Sequence, residues 1–429
     1  LVRNWYMVQV APLDSRAQRL PLPDSLMGRL LQFVVAHEVG HTLGFPHNLK
    51  ASSTYPADSV RSASWVRRMG HTPTLMDYAR FDYVAQPEDR IALEDLVPRV
   101  SPYDVFATKW GYAPIPGART PEDERPTLNA WAEMQDTVPW FRYTTSGSRD
   151  IDPGEASEAV GDADAVKSTR LGLRNIQRTV PMLTVAALRR GEDNAELIEL
   201  YERLLDQWAT EMEHVVGLVG GSESREKYGG QLGPRFVPIS RSRQREAIQF
   251  LSENAFRTPR YLLDANILRR IEPDGALRRV GSAQSRVLYT LMETDRLNRL
   301  SEYEVLATDR GEVYQLGEML GDLRRALWSE LQGSRVAIDP FRRKLQRNWL
   351  SQIDANINPI PAMVLTPPTT RTSRGRSNVS TDVRALMRGE LAELDSRLAA
   401  AIPRAADRTT RLHLIDMRAE IRRVLEPAD

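Results

Sequence analysis

The sequence predicts an α+β chain that is predominantly helical. Apolar residues recur at helical spacing over long proline-free stretches, and strand-like alternation occurs only once. The 429 residues are 41% hydrophobic and 27% charged, which suffices for two or three cores and excludes wholesale disorder. Taken in order, Asn4 to Val10 sets Tyr6, Val8 and Val10 against Trp5, Met7 and Gln9, the pattern of one β-strand. Ser25 to Leu43 repeats Leu31, Val35, Val39 and Leu43 at helical spacing, with Asp24 as N-cap and Gly44 and Pro46 as the stop. Ser101-Pro102-Tyr103-Asp104 opens a short helix over 102–110, with Ser as cap, Pro first and an acid third, and Gly111 closes it. Asn194 to Val219 carries Leu197, Tyr201, Leu204, Trp208, Met212, Val215 and Val219 on one stripe, and weaker helical patterns continue to Asn356. A final stripe runs through Val383, Met387, Leu391, Leu394, Leu398 and Ile402.

Two proline-rich stretches divide these elements. The expected organisation is a metal-binding region over 1–115, an acidic connector over 116–165, a helical domain over 166–357, a second connector over 358–380 and C-terminal helices over 381–429. No repeat of 20 to 50 residues points to a solenoid. The chain opens at Leu1 without a leader pattern, so it reads as a fragment or processed product whose signal region lies outside it.

Composition excludes several functions. With 58 basic and 57 acidic residues the net charge is +1, so no field draws the chain to nucleic acid or an anionic membrane. Arg235, Arg241, Arg243 and Arg245 lack interleaved aromatics and read as a solvated face. No apolar run is long enough to span a bilayer. The absence of cysteine removes disulfides, thiolate metal sites and thiol nucleophiles, leaving histidine as the ligand to watch.

Three of the six histidines lie in His37-Glu38-Val39-Gly40-His41-Thr42-Leu43-Gly44-Phe45-Pro46-His47, an HExxH followed by GxxH. Its five fixed positions would arise by chance on the order of a few times in 10⁶ such sequences. His37 and His41, four apart on a helix, can offer two imidazoles to one Zn²⁺. A left-handed Gly44 can end the helix and bring His47 back as a third ligand, leaving a fourth position for water. Glu38 adjoins the first ligand and suits a general base. The bland alternative for a lone histidine, a satisfied core or surface group, fits His71, His214 and His413, which stand at no ligand spacing. The acidic stretch Asp150 to Asp164 does not match a calcium loop and reads as a solvated linker.

The extended zinc motif, followed by Thr74-Leu75-Met76-Asp77-Tyr78, resembles the metzincin zinc endopeptidases. More narrowly, His47-Asn48-Leu49-Lys50-Ala51-Ser52, Met76-Asp77-Tyr78-Ala79-Arg80-Phe81, Pro102-Tyr103-Asp104 and Trp110-Gly111-Tyr112 resemble the large bacterial zinc metalloproteases called Met-zincins, specifically over 1–115 and diffusely beyond. The resemblance implies that Met76 forms an apolar floor under the histidines. It also implies that Tyr78 can ligate zinc and stabilise the oxyanion; by residue type alone Met76 is core and Tyr78 an ordinary packed tyrosine. It implies a mostly parallel sheet before the zinc helix, for which only 36 residues are present, so the upstream sheet is expected to be mostly missing, which puts the activity of the fragment alone, though not of its parent, in doubt. Peptide or protein substrates and a periplasmic or extracellular location follow from it too. The function expected is therefore a zinc-dependent endopeptidase; the alternative is a helical scaffold protein whose zinc site is structural or vestigial.

Overall fold

A computed structural model describes residues 2–145, 151–189, 191–307, 309, 311–358 and 379–426. The chain is predominantly helical, and among the described residues its only sheet pairs β1 (Ser222–Ser224) with β2 (Phe236–Pro238). It divides into two compact units, residues 1–237 with 260–274, and residues 238–259 with 275–429. The second connector expected over 358–380 falls almost wholly outside the described residues.

The first unit holds α1 (Val2–Val10), α2 (Asp24–Thr42), α3 (Ala57–Val60), α4 (Ala63–Met69), α5 (Pro102–Tyr112), α6 (Pro121–Glu133), α7 (Ala165–Thr179), α8 (Met182–Ala187) and α9 (Ala195–Leu218). The strand expected over Asn4 to Val10 is the helix α1. Its alternating pattern misleads because Tyr6, Met7, Val8, Gln9 and Val10 are all buried in succession, so neither strand nor helix periodicity survives. α1 packs between α7 and α9, where Gln9 donates to Gln207 at 2.7 Å.

Helix α2 matches its expected span, and the apolar repeat that marks it in the sequence lies on its outer face. Leu26, Leu30, Phe33, His37 and Gly40 point into the unit, whereas Leu31, Val35, Val39 and Leu43 are exposed. The helix is apolar on both sides, and the stripe visible in the sequence is the outer one. Pro23 rather than Asp24 stands at its N-cap. Tyr6 and Phe33 both meet the edge of Phe81, at 4.9 and 6.4 Å between centroids, which ties α1 and α2 to the chain just after Tyr78.

The acidic stretch expected as a solvated linker is partly interior. Asp152, Glu155 and Asp162 are buried; Asp152 pairs with buried Lys50 and accepts from the Ser224 amide at 2.7 Å, and Asp162 accepts from Ser168.

The second unit opens with α10 (Arg241–Asn254); the chain returns to the first for α11 (Ala265–Ile271) and then completes the second with α12 (Ala276–Leu291), α13 (Thr294–Leu306), α14 (Leu316–Leu327), α15 (Pro340–Ile357), α16 (Thr381–Ala401) and α17 (Arg408–Leu425). α16 packs against α17, α14 and α15 through Val383, Met387, Leu391, Leu394 and Leu398, as its stripe predicts. Arginines elsewhere in this unit serve the fold: buried Arg342 of α15 pairs with Glu330, and Arg241 of α10 with Glu318.

Candidate metal centre

The centre is built at the end of α2. Gly44 adopts φ 85°, and the amides of Gly44 and Phe45 donate to the carbonyls of His41 and Gly40 at 3.0 and 3.1 Å. This is the Schellman arrangement, which only a residue tolerant of the left-handed region closes without strain. It reverses the chain within three residues and carries His47 back against the helix. The turn also places the Phe45 carbonyl 2.9 Å from His41 Nδ1. A second carbonyl, that of Leu75, lies 2.6 Å from His37 Nδ1.

Those two contacts settle the tautomers. A carbonyl oxygen only accepts, so Nδ1 of His37 and of His41 carries the proton, and in the neutral rings both Nε2 atoms are bare. Both point at His47 Nε2, 3.2 Å from His37 Nε2 and 3.1 Å from His41 Nε2. Burial, then the neighbouring imidazoles, hold His47 below the ordinary histidine pKa and favour its neutral form as well. Unshared pairs that converge repel unless a cation lies between them. A tetrahedral Zn²⁺ with bonds of about 2.0–2.1 Å separates its nitrogens by about 3.3–3.4 Å, within a few tenths of an ångström of the edges seen. The three histidines therefore fit a metal ion, and they form the one such group among the described residues.

They line a cleft of about 400 Å³ together with Glu38, Asp77, Tyr78 and Arg80, and with Trp5, Phe33 and Val34 on its apolar side. Glu38 is exposed there, next in sequence to His37 but free of the core. The Tyr78 ring lies 4.5 Å from the His47 ring and 5.9 Å from that of His37. Met76 is buried against α2 at Gly40; a Cβ on Gly40 would stand 2.3 Å from Met76 Sδ. The Asn48 amide donates to the Met76 carbonyl at 2.9 Å, while its side chain bonds the Arg142 carbonyl and the Thr144 amide, so the loop carrying His47 is fastened on both sides.

The structure thus gathers His37, Glu38, His41, His47 and Tyr78 in one cleft, with Gly44 at the turn and Met76 against the helix. The remaining histidines stand apart from it. His71 bonds the Ala79 carbonyl, His214 the Ser157 carbonyl and His413 the Gln346 side chain. Four residues at the site lack any local sequence signal. Gly40 admits Met76, Asn48 fastens the loop, and Trp5 stacks on the Arg80 guanidinium at 3.5 Å while Arg80 pairs with Glu158. Among the described residues no helix is long and apolar enough to cross a membrane.

A family model described as Met-zincin matches residues 19–335, which span the three histidines and the turn at Met76. No curated protein and no solved structure matches the chain.

Proposed function

Because the chain belongs to the Met-zincin family, a family of the zinc metallopeptidase type, we propose that it is a zinc-dependent endopeptidase with His37, His41 and His47 as metal ligands. The observation that carries this reading is the convergence of three Nε2 atoms, with the Nδ1 atoms of His37 and His41 held by backbone carbonyls. Zinc held there supplies Lewis-acid polarisation of a peptide carbonyl and acidifies water into a nucleophile near neutral pH. Glu38 takes the proton of that water and returns it to the leaving amine, a role supported by its exposure in the same cleft. The Tyr78 hydroxyl donates to the carbonyl oxygen as it gains charge. Trp5, Phe33 and Val34 give the substrate an apolar wall. Met76, filling the space that Gly40 leaves, keeps the turn seated against α2.

The test compares wild type with Glu38→Ala for zinc per chain and for cleavage of internally quenched peptides. Zinc near one per chain in both, with kcat/KM lower by about 10²–10⁴ in the variant, is the expected result. Stoichiometric zinc with no cleavage by either protein, nor by a wild-type chain extended upstream, replaces the peptidase by a structural metal site in a helical scaffold.

A further inference from the structure

Asp104 is buried, yet among the described residues no lysine or arginine pairs with it. Its carboxylate accepts from the Ser101 amide at 2.9 Å, closing the cap of α5, and from the Leu75 amide at 3.1 Å. It also accepts from the Thr74 hydroxyl. The Thr74 oxygen in turn accepts from the Met76 amide at 3.0 Å. That amide shares a peptide group with the Leu75 carbonyl, which accepts from His37 Nδ1 at 2.6 Å. The bonds run in one direction: carboxylate, hydroxyl, peptide, imidazole.

We propose that Asp104 is a positioning residue for the first metal ligand, acting on His37 through Thr74 and the peptide between Leu75 and Met76; this rests on the metal-site reading above. Each bond in such a chain polarises the next. The carboxylate makes the Thr74 oxygen a better acceptor, the Met76 amide is drawn toward it, and the Leu75 carbonyl becomes more negative. His37 then carries more negative charge at Nε2 and is held in one tautomer and one ring orientation. A metal ligand whose second nitrogen bonds a strengthened acceptor binds its ion more tightly. The arrangement also accounts for a buried carboxylate without a cation of its own, since the positive charge it serves is the metal's. Capping of α5 explains only the bond to Ser101. It leaves the hydroxyl and peptide links to His37 without a purpose.

Thr74→Val removes the middle of the chain while leaving the Asp104 bonds to Leu75 and Ser101 in place; Thr74→Ser restores the hydroxyl. Zinc dissociation constants, measured by competition with a chromophoric chelator, should rise on the order of 10–100-fold in Thr74→Val and stay within about threefold of wild type in Thr74→Ser. The melting temperature of the metal-free proteins separates this from loss of fold, because a purely structural Thr74 lowers stability without a selective loss of zinc. Should Thr74→Val fail to fold, Asp104→Asn is read in the same way, with the visible spectrum of the cobalt-substituted protein reporting ligand geometry. Unchanged zinc affinity in a folded variant overturns the relay alone. A wild type that binds no zinc overturns the metal site with it.

Discussion

Alanine at Gly40 and at Gly28 makes a matched pair on one helix. Both glycines lie within α2, and alanine gains roughly 1 kcal/mol over glycine in a helix interior through propensity alone. A Cβ at Gly28 has nothing within 4 Å, so Gly28→Ala should stabilise by about that amount. At Gly40 the same Cβ stands 2.3 Å from Met76 Sδ and 3.3 Å from its Cε, well inside contact distance. Methionine is flexible, but Met76 is 3% exposed, so its side chain has to repack among buried neighbours to make room for the Cβ. Overpacking of this kind costs typically about 1–3 kcal/mol. Propensity cancels to first order between the two variants, so the difference in their unfolding free energies measures the steric term, and about 1–3 kcal/mol in favour of Gly28→Ala is expected. Urea unfolding of the metal-free proteins supplies both numbers. Zinc affinity should fall in Gly40→Ala only, since the displaced Met76 adjoins the Leu75 carbonyl that orients His37. Equal stabilisation by the two substitutions, within about 0.5 kcal/mol, would refute the packing of Met76 against Gly40 and the reasoning built on it.

Tyr78→Phe should retain zinc and lower kcat on the order of 10²-fold with KM little changed; an unchanged kcat in peptide assays makes Tyr78 a packing residue only. His71 is buried and its pKa is pushed down to about 4 by desolvation, so its contribution is present above pH 6.5 and is lost as pH falls toward 4. That amounts to about 3 kcal/mol, and unfolding free energies at pH 7 and 4.5 should differ by less in His71→Gln than in wild type. Lys50→Met strands the buried Asp152 carboxylate, which keeps the Ser224 and Gly154 amides as donors; a loss of about 3 kcal/mol in urea unfolding is expected, and one below about 1 kcal/mol removes the ion pair as a support of the first unit.

What was legible in the fold depended on whether burial preserved a period. The stripes of α9 and α16 face one core each and are read off directly. α1 is covered on every side and loses its period, so its aromatic and β-branched residues imitate a strand. α2 keeps a period on both faces, and composition cannot tell which of Leu31, Val35, Val39, Leu43 or Leu26, Leu30, Phe33, His37 turns inward; packing of Phe33 on Phe81 decides it. The acids between 150 and 165 look solvated because their partners, Lys50, Ser168 and Ser224, are remote in sequence or individually unremarkable.

The site divides along the same line. The ligand spacing, the left-handed Gly44 and the base beside the first histidine are local, since one helix turn and one reversal carry them, and so they stand in the sequence as a pattern of eleven residues. Orientation of the ligands is local for His41, whose carbonyl partner Phe45 sits in the same turn, and remote for His37, whose partner Leu75 arrives from a different segment. That segment is held by Met76 against Gly40, by Asn48 on the Met76 carbonyl and by Asp104 on Thr74 and Leu75. None of these contacts has a spacing rule, and Asp104 is fully accounted for in the sequence as a helix cap. Loss of one of the three histidines should therefore abolish zinc binding outright, whereas a variant of the remote set should leave the ligands in place and weaken the ion they hold.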